Sequence, residues 1–474
     1  MSTLNEVIRT FSLLMADITQ SEKLRLRVFP VDLTALTKFY RAEYITLYKL
    51  FQRKGYEVGI VGLAVCDAIL GTQPDYVEFV TSATPDQLRT MFQPDDIPGL
   101  EVVKETNGTF TITMNKKLEG LSTTIRIKTA PVTKDWEFHA AHKEFTVNSM
   151  LLKVHPGSFP CGLGISVCFG QQPIPFRVKG YVFDYHDGVK DVRHRRIRFV
   201  GNPTARISED PLRILKYFRI HGYLATLDQP DLHDRTTLKA IFENVHTLAR
   251  VDGHCCWLEL QKIMCYNSTP SLVRRMFDTG VFPHVGLHGI PAFLEMDSAW
   301  QKGILSRNPW PVTCLATIVY NEEQAVELHE RLGFSTIDRK ILSYIIENRK
   351  KCATLSKPEI KQHFRRELLI STEIFHGRRI VLMEMMKYLV YDVLLLFYLK
   401  GLRIPKCPVT KKDVRRTWSV KYGLAGIYLR ILRQQWVDSD CTWKRCRLLS
   451  KENRAIVEDL ALESSSINNG ETQM

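Results

Sequence analysis

The stretch IVGLAVCDAILGTQPDYVEFVTSATPDQLRTMF, residues 60–92, sets the fold of the chain. An apolar run meets Gly62, and apolar residues at helical spacing follow until Gly71, which predicts a strand, a glycine turn and a short helix. Residues 76–81 are aromatic and β-branched and predict a second strand. Residues 84–86, Thr-Pro-Asp, favour the start of another helix. A helix that begins at a glycine turn, beside a strand with a carboxylate, suits a triphosphate and its metal ion.

The bulk properties predict a globular, intracellular protein of several domains. The chain has 474 residues and is 45% hydrophobic, which gives ample material for a core. Its longest apolar run, residues 389–399, is too short to span a membrane and contains Asp392. The net charge of +14 favours a polyanionic partner. Eleven cysteines without paired spacing indicate reduced thiols.

The head of the chain resembles the class II tRNA nucleotidyltransferases, the CCA-adding enzymes, and the related bacterial poly(A) polymerases. Their pattern is G-G-x-V-R-D-x-x-x-G followed by D-x-D-F-x-T-x-A-T-P. The chain keeps most of both motifs, at Gly62, Val65, Asp67, Gly71, Phe79, Thr81, Ala83, Thr84 and Pro85. The resemblance extends over residues 29–449 and implies an α+β fold, in which a nucleotidyltransferase head with a mixed β-sheet and flanking helices precedes an all-α neck, body and tail.

The chain departs from the family at the residues that bind metal. The second glycine is Leu63, the arginine is Cys66, and the two metal-binding aspartates fall on Tyr76 and Glu78. Residues i and i+2 of a strand share a face roughly 6.5 Å apart, so paired carboxylates there can hold two ions about 3.5 to 4 Å apart. A tyrosine is no Mg²⁺ ligand, which leaves Glu78 as a degenerate catalytic and weak metal position. Asp75 points to the opposite face unless a bulge shifts the register.

The resemblance also implies a nucleotide site. Residues 142–150, HKEFTVNSM, are similar to the family motif R-R-D-x-T-[IV]-N-[SA]-M, with a glutamate for its sugar-contacting aspartate. Residues 207–219 match the motif in which an aspartate and an arginine read the Watson–Crick edges of C and A. The nucleotide-binding residues implied in this way are Gly62, Asp67, Glu144, Asn148, Glu209, Asp210, Arg213, Lys216 and Arg219.

Spacing alone allows a simpler interpretation of residues 207–219. Ser208 can cap a helix that contains Pro211 in its first turn, with Glu209 favoured by the helix dipole and paired with Arg213 one turn on. The family context favours base recognition instead, because a carboxylate can accept from an exocyclic amine and a guanidinium can donate to a ring nitrogen.

Two basic runs are candidates for RNA binding. Residues 193–198 include Arg195 and Arg196, which can follow a phosphate backbone or protect a solvated strand edge. The second run is rich in lysine and arginine, and its candidate phosphate contacts are Lys411, Lys412, Arg415 and Arg416. His142 is interpreted as a surface or phosphate contact rather than a catalytic base.

The chain is expected to divide as follows. Residues 1–28 form an N-terminal extension or a presequence; Glu6, Asp17 and Glu22 disfavour a mitochondrial signal, whereas its position favours one. The predicted divisions after it are a head at 29–200 with an insertion at 153–180, a neck at 201–265, a body at 266–350, a basic tail at 351–460 and disorder at 461–474. The insertion is rich in glycine and proline and predicts an exposed loop or added hairpin.

Three hypotheses for the function remain open. The first is a tRNA-binding homologue in tRNA 3′-end processing whose nucleotidyl transfer is lost or weak. The second is an active CCA-adding enzyme or poly(A) polymerase with an atypical Mg²⁺ site, formed by Glu78 with Asp75 or Asp67, using CTP or ATP. The third is a scaffold for an RNA-processing complex. The mitochondrial matrix is one candidate compartment, and the cytoplasm and nucleus are the others.

Overall fold

The computed structural model describes residues 26–39, 42–92, 100–106, 109–116, 121–129, 136–154, 178–225, 232–370 and 375–470. The chain divides into two compact units, Met1–Val251 and Asp252–Met474. Most of the predicted presequence and most of the insertion at 153–180 lie outside the described residues.

The first unit contains a mixed sheet of eight described strands. Its order is β1-β8-β7-β2-β3-β6-β5-β4, and only the β3–β6 pair among these strands is parallel. The strands are β1 Arg27–Asp32, β2 Val58–Val61, β3 Glu78–Thr81, β4 Leu100–Thr106, β5 Thr109–Lys116, β6 Leu121–Thr129, β7 Leu151–Val154 and β8 Lys179–Asp184.

The helices of the first unit flank this sheet and continue into the neck. They are α1 Ala42–Arg53, α2 Leu63–Leu70, α3 Pro85–Met91, α4 Trp136–Ala141, α5 Gly188–Arg193, α6 Pro203–Glu209, α7 Arg213–Leu224 and α8 Arg235–Asn244, with short 3₁₀ turns at Thr146–Asn148 and Val245–Arg250. The strand, turn and helix predicted from residues 58–71 are confirmed as β2 and α2.

Gly62 and Gly71 delimit α2 for a backbone reason. Their φ angles are +78° and +70°, in the left-handed region where a side chain is strained. The next helix, α3, begins at a complete capping box, in which the Thr84 hydroxyl accepts from the Gln87 amide. These local signals explain why the helices α2 and α3 were predicted correctly from residues 60–92.

The neck motif divides between two helices, contrary to the sequence interpretation. Asn202 caps α6, and its side chain accepts from the Ala205 amide. Ser208 therefore lies inside α6, where its hydroxyl donates to the Thr204 carbonyl, and it caps nothing. Glu209 ends α6, and the chain turns at Asp210 before α7. The predicted cap at Ser208 is wrong because Asn202 and Pro203 start the helix earlier.

The described part of the second unit is helical. Its helices are α9 Gly253–Ile263, α10 Thr269–Asp278, α11 Val281–His284, α12 Phe293–Gln301, α13 Pro311–Leu315, α14 Glu322–Leu332, α15 Thr336–Ala353, α16 Lys357–Ile370, α17 Phe375–Tyr388, α18 Val393–Gly401, α19 Lys411–Trp418, α20 Tyr422–Asp438, α21 Arg445–Leu448 and α22 Lys451–Gly470, with a 3₁₀ turn at Ile304–Arg307. This confirms the predicted α+β order of a sheet followed by helices. None of the described helices is long and apolar enough to cross a membrane.

The last helix corrects the prediction for residues 461–474. The structure continues α22 through Gly470, where the polar composition predicted disorder. Val457 and Ala461 are buried in the tail core with Trp418 and Trp436. Their spacing places both on one face of the helix. Residues 471–474 lie outside the described residues.

Candidate active site

Glu78 is the first residue of β3, and Tyr76 precedes the strand. β3 pairs with β2 without a bulge, so that Phe79 lies opposite Ile60 and points into the core. Tyr76 is 53% exposed, and the predicted strand start at residue 76 is therefore wrong by two residues. Burial raises the pKa of the Tyr76 hydroxyl, as does the charge of Glu78, while Arg219 and Arg126 act in the opposite direction. The phenol is neutral at physiological pH.

Lys128 binds the carboxylate that remains. The parallel register places Arg126 opposite Glu78 and Lys128 opposite Val80, so these residues share one face of the sheet. The Lys128 ammonium donates to Glu78 Oε2 at 3.0 Å. The Glu78 side chain is only 19% exposed, so this ion pair is partly shielded from water. A lysine thus supplies the positive charge on this face.

The residues around Glu78 do not fit a two-metal site. Asp75 is exposed in the bend before β3 and lies outside the residues that pair in the strand. Within the described ranges, no three His, Cys, Asp or Glu side chains are grouped to hold a metal ion. Two ions bridging phosphate oxygens need several convergent carboxylates. Glu78 bound to Lys128 does not provide them.

Asp67, the second candidate for a replacement ligand, is buried and already bonded. Its Oδ2 accepts from the Tyr223 hydroxyl at 2.6 Å, and its Oδ1 accepts from the Thr72 hydroxyl at 3.0 Å. Burial raises the pKa of Asp67, and these two hydrogen bonds partly offset the rise. Asp67 therefore links α2 to α7 as a structural group.

Cys66 occupies the position of the family arginine in the interior of α2. Its thiol donates to the Val147 carbonyl at 3.2 Å. Burial is the largest cause that raises the pKa of this thiol, so Cys66 stays neutral. The exchange of a guanidinium for a buried thiol removes one cation from the head and adds a contact to its core.

The predicted nucleotide-binding residues Glu144, Asn148, Asp210 and Lys216 form one chain of contacts. The Asn148 amide donates to Glu144 Oε2 at 3.1 Å, and Lys216 Nζ lies 3.4 Å from Glu144 Oε1 and 2.9 Å from Asp210 Oδ2. Burial by itself would raise the pKa of Glu144. The Lys216 ammonium and the hydrogen bonds outweigh burial and lower that pKa. The tertiary structure thus brings residues of two distant motifs together.

Glu209 and Arg213 form a second cluster with Arg206, which the sequence analysis missed. Glu209 Oε2 accepts from Arg206 Nη1 at 2.8 Å and from Arg213 Nη1 at 2.7 Å. Arg213 also donates to the Arg206 carbonyl at 2.6 Å. The hydrogen bond from Arg213 is the largest cause that lowers the pKa of Glu209. The spacing of Arg206 and Glu209 on α6, three residues apart, was the signal available in the sequence.

The two arginines predicted to contact RNA have partners within the first unit. Arg196 and Arg198 both donate to Asp191, whose side chain is fully buried. Arg195 donates to the Leu224 carbonyl at 3.3 Å. Asp191 also accepts from the Thr146 hydroxyl. Arg196 therefore neutralises the charge of the buried Asp191 carboxylate. The run of basic residues in the sequence does not show this role.

The four basic residues of the tail that are predicted to contact phosphate lie on α19. The Lys411 ammonium lies 3.6 Å from the centre of the Tyr422 ring, and Arg415 lies 5.4 Å from it. Lys412 and Arg416 are exposed one helical turn apart. Lys412 and Arg416 therefore present two cations to solvent, whereas Lys411 and Arg415 are held against the Tyr422 ring.

Comparison with known proteins relates most of the chain to one family. The family described as Poly A polymerase head domain matches residues 58–198. The mitochondrial CCA tRNA nucleotidyltransferase 1 of Mus musculus is 32% identical over 415 residues, covering 85% of this chain and 88% of the relative. The Homo sapiens protein of the same name is 31% identical with the same coverage.

Solved structures show the same fold. The CCA-adding enzyme of Bacillus stearothermophilus in complex with CTP aligns with a TM-score of 0.59 at 16% identity, covering 88% of this chain and 98% of that one. The Thermotoga maritima CCA-adding enzyme complexed with tRNA aligns with a TM-score of 0.52 at 18% identity, covering 90% and 99%.

Proposed function

This chain belongs to the family of CCA-adding tRNA nucleotidyltransferases and poly(A) polymerases, and we propose that it binds tRNA in 3′-end processing with nucleotidyl transfer lost or very weak. The relatives that resemble it over most of its length are named for action on tRNA, which supports tRNA as its RNA. The basic tail helix and the net charge of +14 support a polyanionic ligand.

The observation that carries this proposal is the ion pair between Lys128 and Glu78. In the family, in-line attack of the RNA 3′-hydroxyl on the α-phosphate depends on two Mg²⁺ ions held by carboxylates. Here one carboxylate remains and a lysine neutralises it. Losing the charge stabilisation of one metal costs several kcal/mol of transition-state free energy, on the order of a hundredfold or more in rate.

An active enzyme is the second candidate, and a specific observation favours it. The neck retains Glu209, Asp210 and Arg213, the residues that in the family select C and A. A protein that only holds RNA has no need to select a nucleotide. CTP and ATP therefore remain candidate ligands under both proposals.

One assay separates the two candidates. Purified full-length protein would be incubated with tRNA lacking its 3′ CCA, Mg²⁺ and labelled CTP or ATP, with the human relative as a positive control. We expect tRNA binding that weakens steeply with salt and no incorporation of label. Robust incorporation would establish the active enzyme instead. Absence of tRNA binding at low salt would refute both.

We propose the mitochondrial matrix as the compartment to test first, ahead of the cytoplasm and nucleus. The mouse and human relatives are named as mitochondrial, and residues 1–28 precede the family resemblance. A fluorescent fusion of the full chain should enter mitochondria, and the same fusion lacking residues 1–28 should not. Equal distribution of the two fusions would contradict targeting by this segment.

A further inference from the structure

The face around Glu78 carries more positive than negative charge. Arg126 and Lys128 alternate onto this face of β6. Lys143 is partly buried within the electrostatic reach of Lys128 and Glu78. The other nearby acid, Glu144, is already bonded to Lys216 and Asn148. A face that binds cations in the family has thus become one that attracts anions.

Lys128 has the geometry to bridge Glu78 to an anion. An ammonium group has three donors, and one of them is directed at Glu78 Oε2. The Lys128 side chain is 40% exposed, so the remaining donors can be reached from solvent. In a metal site the cation joins the protein carboxylate to phosphate oxygens, and an ammonium held by the same carboxylate can make the second half of that bridge.

The start of α2 lies beside the same carboxylate. A Cβ on Gly62 would lie 3.5 Å from Glu78 Oε2, so the turn approaches the ion pair closely. The N-terminus of α2 contributes partial positive charge there. Gly62 and Lys128 therefore lie beside the same carboxylate oxygen, and the α2 amides and the Lys128 ammonium are the groups there that favour an oxyanion.

We propose that this face, formed by Gly62, Glu78 and Lys128, binds the polyphosphate of a nucleoside triphosphate without a divalent cation, with the Lys128 ammonium in place of the metal ion. This inference rests on the proposed function, because it assumes a family member whose metal site has changed. It separates nucleotide binding from catalysis: the ligand is held, but nothing activates the attacking hydroxyl.

Calorimetric titration of the full-length protein tests the proposal, with CTP and inorganic tripolyphosphate as probes, each in excess EDTA and in millimolar Mg²⁺. We expect both probes to bind, with affinities that differ by less than about threefold between the two buffers. A wild-type affinity at least tenfold lower in EDTA would overturn the proposal. Binding of CTP without tripolyphosphate would also overturn it, because the phosphates would not be the recognised group.

The variant Lys128→Gln sharpens the test. In EDTA it should bind CTP about tenfold more weakly, since a charge-assisted contact to phosphate is lost and Glu78 is left facing the anion. Mg²⁺ should restore part of the affinity, because the freed carboxylate can accept the ion. Lys54→Gln, which removes an exposed lysine elsewhere in the head, is the matched control. Equal affinities of the two variants would refute the role of Lys128.

The variant Lys128→Arg is the control for misfolding. This variant retains the positive charge and the ion pair with Glu78, so its binding of CTP should remain independent of Mg²⁺. If it lost CTP binding while its melting temperature stayed unchanged, that result would count against the proposal. Failure of this inference is distinct from failure of the proposed function. Mg²⁺-dependent CTP binding without incorporation would refute only the inference, whereas robust incorporation into tRNA would refute the proposed function.

Discussion

The β3–β6 face around Glu78 and the neck around Glu209 and Asp210 both pair carboxylates with cations, but the cations differ in origin. In the neck, Arg213 belongs to the same motif as the acids that it bonds, and this pairing can be exchanged for pairing with a base. On the β3–β6 face, Lys128 comes from a neighbouring strand and binds the acid that remains there. An acid kept at a family motif position therefore has a different kind of partner in each region: an arginine of its own motif in the neck, and a lysine of another strand on the β3–β6 face.

The comparison teaches that base recognition and metal-dependent transfer depend on different kinds of contact. Base recognition needs donors and acceptors at the right spacing, which a helix turn provides locally. Metal-dependent transfer needs several carboxylates that converge from different strands, and one substitution among them is enough to prevent it.

The largest effect is expected from restoring the carboxylate face. The double variant Tyr76→Asp/Lys128→Thr adds one acid and removes the competing ammonium, so incorporation into tRNA should rise at least about a hundredfold above wild type. Tyr76→Asp/Lys54→Thr is the control, since it adds the acid and leaves Lys128 in place. An equal rise in the control, measured with labelled CTP, would show that Lys128 does not limit the reaction.

Lys216→Gln tests the contacts between the head motif and the neck. It removes the cation shared by Glu144 and Asp210 and should lower the free energy of unfolding by about 2 kcal/mol at pH 7 in urea titrations. The pKa of Glu144 is lower in the folded state, so this stabilisation is present above its ordinary value of 4.5 and is lost as the pH falls through the folded value. The gap between wild type and variant should therefore shrink below about pH 4.5.

Lys54→Gln again serves as the control, because its side chain is exposed and its loss should change stability by less than about 0.5 kcal/mol. A difference between wild type and Lys216→Gln that stayed constant down to pH 3, or that was no larger than that of the control, would contradict the assigned pairing.

The tail should show a smaller effect on RNA binding. Lys412→Ala/Arg416→Ala removes two exposed charges from α19 and should weaken tRNA binding about tenfold, with a salt slope reduced by roughly 1 to 2. Lys49→Ala/Arg53→Ala removes the same charge from the exposed face of α1. If both double variants bound tRNA equally well in filter-binding titrations, net charge alone would explain the affinity.

The smallest effect is expected at Asp67. Tyr223→Phe deletes the hydroxyl that donates to this buried carboxylate and should lower the free energy of unfolding by about 1 to 2 kcal/mol. It should create no incorporation activity, because Asp67 is a structural group rather than a spare metal ligand. Appearance of Mg²⁺-dependent incorporation in this variant would reverse that assignment. Thr72→Val is the matched control, because it removes the other hydroxyl donor.

The amino-acid sequence by itself determined the helices and turns whose signals lie in neighbouring residues. Gly62 and Gly71 require left-handed backbone, and the capping residues at the start of α3 satisfy their own amides, so neither depends on distant contacts. The loss of the metal-binding pair was visible for the same reason, since Tyr76 and Glu78 stand where the family pattern has aspartates. The helix break at Asp210 was missed because Ser208 and Pro211 offered a competing start signal.

Only the tertiary structure decided which charges meet. Lys128 reaches Glu78 because β3 and β6 are parallel neighbours, although the residues are distant along the chain. In the same way Arg196 meets a buried Asp191, and Lys216 meets Glu144 from another motif. A sequence states the number and type of charged groups, but ion pairs depend on distance and burial, which strand order and helix packing set. The family could therefore be identified from the amino-acid sequence, whereas the proposed replacement of a metal ion by Lys128 could be inferred only from the folded sheet.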